Sequence, residues 1–332
     1  MAVPRIAAMS KALPDFIDDL GSGVYAIDTG FQRPRFDAAY LVVANGRAAF
    51  IDTGPNPAVP RLLAALEALG LARDAVDFVI PTHVHLDHAG GAGLLMRELP
   101  GATMLVHPRG ARHMIDPSAL YEGSLAVYGQ AEMARSYGTL IAVDATRVRL
   151  SHDGMDLTLG GARVLHFIDT PGHALHHHCV WDAATRGWFT GDTFGSSYRE
   201  FDTAHGAWQF PTTVPTQLDP QALRASVERL LSFEPVCMYL THYSRIGDVP
   251  RAAASLLAML DAMVAIAERE RSAPDRHAAL VRELAALYGA SLAAHGVERA
   301  QEKLALLALD IELNSQGLGV WLDREAKKAG RV

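Results

Sequence analysis

Four side chains suited to metal binding fall within six residues: His83, His85, Asp87 and His88, in the run Thr82-His83-Val84-His85-Leu86-Asp87-His88. In an extended backbone residues i and i+2 project to the same side, so His83 and His85 can offer two imidazoles to one ion. Once the chain turns, Asp87 and His88 can face a second ion nearby. Imidazole combined with carboxylate suits zinc first, with iron or manganese as alternatives at a carboxylate-rich site. The run follows the apolar Phe78-Val79-Ile80 and precedes a helix-like stretch from Gly93 to Leu99. This context predicts a loop between a buried strand and a helix.

The run resembles the HxHxDH signature of the metallo-β-lactamase superfamily, and the rest of that family's pattern recurs in order. Asp52 in Phe50-Ile51-Asp52-Thr53-Gly54, His173 in Thr170-Pro171-Gly172-His173, Asp192 in Thr190-Gly191-Asp192-Thr193 and His242 in Leu240-Thr241-His242 each stand where the pattern has its residue. The resemblance implies an α/β fold, a four-layer αβ/βα sandwich, and two divalent metal ions. It implies that His83, His85 and His173 hold one ion, that Asp87, His88 and His242 hold the other, and that Asp192 bridges them. Asp52 would not bind metal but orient a ligand histidine; a plain turn-capping role before Thr53-Gly54 is compatible with that. The implied reaction is hydrolysis by a metal-bridging hydroxide, with Asp87 and Asp192 as the catalytic carboxylates. The superfamily's oxygen-reducing diiron branch usually carries a carboxylate at the second position of the HxH pair, and His85 disfavours that branch.

Composition sets the outer bounds. With 332 residues, 49% of them hydrophobic and 20% charged, the chain reads as an ordinary globular protein with ample core. A formal net charge of −7 argues against a nucleic-acid surface. Two cysteines, Cys179 and Cys237, fit a reducing compartment. Pro4, Pro14, Asp15, Asp18 and Asp19 interrupt the N-terminal apolar residues, so no secretory signal is expected there and a cytoplasmic location is. The apolar stretch Ala252 to Ala267 carries Asp261 and is expected to fall short of a membrane span.

The elements that must position the site follow from the local patterns. Strands are predicted over 23–28, 38–43 and 48–51, with Asn45-Gly46 as a hairpin turn. A helix over 59–69 and strands over 78–80 and 103–107 lead to the segment 109–138, which shows no clear period and either covers the site or is a surface excursion. Residues 148–150, 156–159 and 162–168 are predicted as three strands of a second sheet, followed by a strand pair at 179–181 and 187–190. Pro171 and Gly172 break the third strand so that His173 can turn inward. Of the neighbouring His176, His177 and His178, His176 or His177 could hydrogen-bond substrate or a ligand carboxylate, with His176 taken as the candidate substrate contact and a packing role as the alternative. The loop from Phe194 to Pro215 contains Tyr198, read either as part of a substrate wall or as packing. A helix over 219–233 and a strand over 235–240 deliver His242, with Tyr243 a candidate substrate contact.

The chain is expected to divide into a catalytic domain, residues 1–250, and an α-helical appendage, residues 251–332. Helices are predicted at about 251–270, 275–288, 291–313 and 318–328, and Lys327, Lys328 and Arg331 read as a solvated end. The function expected is hydrolysis of a small-molecule thioester or ester, as in the glyoxalase II and acyl-thioesterase branches. Lactonase and phosphodiesterase readings remain as alternatives, the latter needing cations near the metals, for which Arg199 and Arg245 are candidates. A different class also stays open: a metal-binding regulatory or interaction protein acting through the appendage, with a homodimer formed by these helices. No nucleic acid or membrane partner is expected.

Overall fold

In the computed structural model, which describes residues 12–213 and 217–330, the chain forms two sheets packed face to face with helices outside each. Pro4, Pro215 and Arg331 lie outside the described residues. The first sheet begins as an antiparallel meander of β1 (Ile17–Asp19), β2 (Val24–Asp28), β3 (Ala38–Ala44) and β4 (Arg47–Ile51). Asn45 and Gly46 close the β3–β4 hairpin with both φ angles positive, the backbone a two-residue turn of this hand requires. β5 (Val76–Ile80), β6 (Thr103–Val106) and β7 (Val148–Leu150) then add in parallel.

Helices α1 (Val59–Ala68), α2 (Leu86–Ala89), α3 (Ala92–Glu98), α4 (Pro108–Ile115) and α5 (Ser118–Glu132) lie between these strands in the chain. The second sheet runs in the order β13 (Ser244–Ile246), β12 (Cys237–Leu240), β11 (Gly187–Gly191), β10 (His178–Asp182), β9 (Arg163–Asp169) and β8 (Met155–Leu159). Helices α6 (Pro220–Leu231), α7 (Val249–Arg269), α8 (Arg276–Ala294), α9 (Ala300–Lys303) and α10 (Ala308–Lys328) complete the described chain.

Strand periodicity sorts the core into layers. Along β3, Leu41 points to the outer apolar cluster with α1 and α3, while Tyr40 and Val42 point to the cluster between the sheets. The inter-sheet cluster joins Ile51, Ile80 and Leu105 to Leu165, Phe167, Phe189 and Tyr239. A third cluster packs Trp188, Met238 and Leu240 under α6 and the start of α7. Phe50 and Phe167 have no exposed surface, and truncating either to alanine is expected to cost about 3–5 kcal/mol.

Each sheet contains a parallel step between strands that end at site residues, β4–β5 before Asp52 and His83 and β11–β12 before Asp192 and His242. Within each sheet the chain leaves both strands in the same sense, and the side chains that follow meet at one site. Binding sites in sheets with parallel strands generally form outside the carboxyl ends of those strands.

Three expectations are corrected, and one segment left open is resolved. β7, residues 148–150, pairs with β6 and belongs to the first sheet; Arg147 anchors it there by donating to the carbonyls of Met96, Leu99 and Ala102. The segment 109–138 is helical, through α4, α5 and a π-helical turn at Met133–Tyr137. Its period is weak because α5 has no fully buried residue and bends at Gly129, where φ is 77°.

The C-terminal breaks also fall elsewhere. α8 ends at Ala294, and α10 continues unbroken through Gly317 and Gly319. Two helical glycines cost roughly 1 kcal/mol each, but burial of Ile311, Leu318 and Leu322 along the same helix holds it straight. Finally, α7 is long and apolar enough to cross a membrane by length and composition, with mean hydropathy 1.6. In the fold its apolar face is used inside: Ala252, Leu256, Leu260 and Met263 are buried.

The helices after residue 250 are not packed as a separate body. One apolar cluster joins Met263, Leu284, Tyr288, Ile311 and Leu318 to Tyr198, Phe201, Trp208 and Phe210 of the loop after β11.

Candidate metal centre

The strand ends bring the predicted ligands together. After β5 the backbone stays extended at His85, with φ −65° and ψ 154°, before turning into α2. This puts His83 Nε2 2.6 Å from His85 Nδ1 and leaves Asp87 and His88 on the first turn of α2. His173 arrives from the end of β9, its Nε2 3.1 Å from His85 Nδ1.

Asp192 arrives from the end of β11 and turns its two oxygens in different directions. Oδ2 lies 3.3 Å from His173 Nε2, while Oδ1 lies 3.1 Å from His88 Nε2 and 3.6 Å from His242 Nε2. Asp87 Oδ2 lies 3.4 Å from His242 Nε2.

Two glycines make these approaches possible. A Cβ on Gly172, whose φ is +131°, would meet the Leu223 backbone at 2.3 Å. One on Gly191, φ +46°, would meet Thr82 Oγ1 at 2.5 Å and His177 Nε2 at 2.6 Å.

Behind the ligands, hydrogen bonds fix which nitrogen faces inward. His88 Nδ1 donates to Asp52 Oδ2 at 2.8 Å, His173 Nδ1 to the Thr212 carbonyl at 3.1 Å, and His242 Nδ1 to the Phe36 carbonyl at 3.2 Å. With each Nδ1 engaged behind, each Nε2 faces the centre. Asp52 is itself held by Thr82 N–H at 2.7 Å and by the hydroxyls of Thr82 and Thr241 at 2.9 and 2.8 Å. Its own backbone has φ 55°, a conformation uncommon for a non-glycine residue.

Protonation follows from the surroundings. Burial, then neighbouring imidazoles, hold His83 and His85 well below the usual histidine range, so both are neutral as metal ligands must be. Burial opposes charge on His88, but Asp192, Asp52 and Asp87 outweigh it and hold that ring well above its usual range. Burial would raise Asp87; His88 and His242 overcome it and lower the carboxyl to about 2.

The donor set fits a metal. Three groups of side chains have ligand atoms within 4.8 Å of one another among the described residues: His83, His85 and His173; His83, His88 and Asp192; and Asp87, His88 and His242. His88 Nε2 and Asp192 Oδ1 are buried and lack hydrogen-bond partners although they lie 3.1 Å apart. Buried polar atoms left in this way are rare in folded proteins, and a cation would satisfy both.

Residues 33–242 match the sequence profile of the Metallo-beta-lactamase superfamily. This chain belongs to the metallo-β-lactamase superfamily. The metallo-β-lactamase fold-containing protein ST1585 of Sulfurisphaera tokodaii is 25% identical over 230 residues, which are 66% of this chain and 78% of that protein. The crystal structure of ST1585, described as an archaeal metallo-β-lactamase superfamily protein, superposes with a TM-score of 0.63 at 21% identity, covering 89% of this chain and 98% of that one. The metallo-β-lactamase family protein TTHA1429 of Thermus thermophilus gives 0.59 at 21% identity, over 93% of this chain and 95% of its own. These structures share the superfamily fold with this chain.

The superfamily centre opens into a cavity of about 400 Å³ bordered by His85, Asp87, His173, Asp192 and His242. Of the candidate substrate contacts, His176 borders the cavity, its Nδ1 accepting from Val84 N–H at 3.4 Å. Tyr198 borders it with its ring, but its hydroxyl donates to Asp310 Oδ1 at 2.9 Å. Tyr243 is corrected: it is absent from the cavity lining, and its hydroxyl donates to Asp18 Oδ2 at 3.2 Å. His177 supports Asp192 from behind, with Nε2 accepting the Asp192 backbone N–H at 3.2 Å.

Sequence reasoning missed Leu309, Asp310, Leu313 and Asn314, which line the cavity from α10. The available signal was a polar pair, Asp310 and Asn314, four residues apart on an apolar helix.

Proposed function

We propose that this chain is a dinuclear metal-dependent hydrolase of small-molecule thioesters or esters. The observation that carries the reading is Asp192: one buried carboxylate turns its two oxygens toward two different sets of ligand nitrogens. His83, His85 and His173 would hold one ion, Asp87, His88 and His242 the other. Bound there, divalent ions supply a water acidified to a nucleophile near neutral pH and a Lewis acid for the developing oxyanion.

The chain's own part is positional. Asp52 keeps the His88 proton at Nδ1, His177 holds the Asp192 backbone, and Asp87, at the cavity edge, orients the attacking water. Phe31, together with Leu120 and Val127 of α5 and Leu313 of α10, offers apolar surface to the cavity.

A roofed cavity favours an enzyme over an interaction protein. Among the described residues after 250, the large hydrophobics most exposed are Leu306 and Leu309, and Leu309 lines the cavity. Of the cations considered for a phosphodiester substrate, Arg199 is engaged with Ser197 and Asp202 and neither it nor Arg245 lines the cavity, whereas Arg112 of α4 does, so the phosphodiester class is kept in the test.

The test is metal content per chain together with turnover of matched thioesters, lactones and phosphodiesters. Two equivalents of metal with turnover of thioesters or esters is the expected result. A protein that stays metal-free after reconstitution, or that cleaves only phosphodiesters, overturns the reading.

A further inference from the structure

Asp310 borders the same cavity as His85, His173, Asp192 and His242, yet it belongs to none of the three groups of potential ligands. Its Oδ1 accepts the Tyr198 hydroxyl at 2.9 Å. Its Oδ2 is buried and has no hydrogen-bond partner. Leaving a buried acceptor unpaired costs roughly 1–3 kcal/mol, and more when it is charged. Native structures seldom tolerate this without a reason.

The helix that carries Asp310 is not free to turn it away. One turn further on, Asn314 Nδ2 donates to the Pro211 carbonyl at 3.1 Å and to the Tyr288 hydroxyl at 2.7 Å, and its Oδ1 accepts Thr213 N–H at 2.7 Å. The Arg33 guanidinium does not supply the missing donor, although its Nη1 and Nη2 are themselves buried without hydrogen-bond partners. The Arg33 guanidinium lies over the Tyr198 ring, 4.4 Å from its centroid, and pairs with Glu200 at 3.5 Å. Burial dominates at the carboxyl itself and raises it to about 6, against the opposing pull of Tyr198, His242 and Arg33. An acid held in this way gains from any donor that reaches it. Phe36, Leu309 and Leu313 contribute apolar surface to the same cavity.

We propose that Asp310 determines substrate specificity, its Oδ2 accepting a hydrogen bond from a hydroxyl or amide N–H on the body of the substrate, beside the scissile group. The proposal rests on the hydrolase reading above. It defines the substrate as an acyl compound with an apolar body and one donor at a set distance from the bond cleaved. A plain alkanoyl chain leaves Oδ2 unpaired. Sites built to hydrogen-bond a substrate group reject analogues lacking it far more strongly than apolar pockets reject a missing methylene.

The experiment uses the zinc-loaded full chain and thioesters in matched pairs with the donor present or masked. Hydroxyl is compared with methyl ether, and amide linkage with ester linkage, as the group is moved along the acyl chain. The wild type is expected to favour the donor-bearing member at one position by at least about tenfold in kcat/KM. Whether the hydroxyl or the amide series shows this identifies the donor. Asp310→Ala should bring the ratio to about one, and Asp310→Asn, isosteric and still an acceptor, should retain part of it, with metal content and unfolding midpoint checked for both.

Equal rates within every pair for the wild type, or the same preference in Asp310→Ala, overturn the proposal. If no pair is cleaved, the hydrolase reading fails, and calorimetric titration still decides the role of Asp310. Tighter binding of the free hydroxy or acylamino acid than of its masked analogue, abolished by Asp310→Ala, supports it. Equal affinities overturn it.

Discussion

On the floor of the cavity the ligand side chains follow strand ends, and His88, His173 and His242 have their rear nitrogens tied to oxygen acceptors. On the roof, α5 has no fully buried residue, and α10 presents a carboxylate with one oxygen unpaired. The floor is over-determined: moving one imidazole breaks a hydrogen bond behind it. Within the roof α5 is lightly packed, whereas α10 is tied down by Asn314 and by its buried Ile311, Leu318 and Leu322. A pre-organised floor suits chemistry that needs fixed geometry, and a roof built from separate elements suits discrimination among substrates. Changes in the floor should therefore alter metal content and kcat, and changes in the roof should alter KM and substrate preference at constant metal.

The largest effect is expected from Asp192→Asn, which removes the charge shared by the two sets of nitrogens. Metal per chain should fall, measured by elemental analysis, and kcat should drop by about 10³-fold or more. An unchanged rate would sink the two-ion reading. Asp52→Ala touches no ligand position directly, but it releases the His88 Nδ1 proton and leaves Thr82 and Thr241 without their acceptor. Metal affinity is expected to weaken about 10–100-fold, read by competition with a chelating dye.

In the roof, Asn314→Ala strips partners from Thr213 N–H, the Pro211 carbonyl and the Tyr288 hydroxyl. The cost should be about 1–3 kcal/mol, seen as a lower thermal midpoint, together with a severalfold higher KM and full metal occupancy. Lost metal in this variant would erase the distinction between floor and roof.

A further effect concerns pH. The folded carboxyl of Asp310 is raised to about 6, above the usual unfolded value of about 3.9. The folded state holds the extra proton between those values, so this contribution to stability is complete below about pH 4 and is lost as pH rises through about 6. Asp310→Asn does not titrate, and it should gain about 3 kcal/mol over the wild type between pH 4 and pH 8. A stability difference independent of pH would mean that the carboxyl is not raised.

Much of the floor was legible because its signals are local. His83 and His85 need only an extended backbone, Pro171-Gly172 marks where a strand must break, and Asn45-Gly46 names its own turn. What the residues alone could not order was everything that depends on contacts distant along the chain.

The sequence by itself determined the ligand types, their spacing and the elements that carry them. Only the tertiary structure decided that β7 joins the first sheet, that Tyr243 turns away toward Asp18 while the Tyr198 hydroxyl is spent on Asp310, and that α10 closes over the metal floor. Local backbone preference and hydrophobic period act over a few residues. The partner of Tyr198 stands 112 residues away, and which of many apolar helix faces covers a cavity is settled by packing across the whole fold.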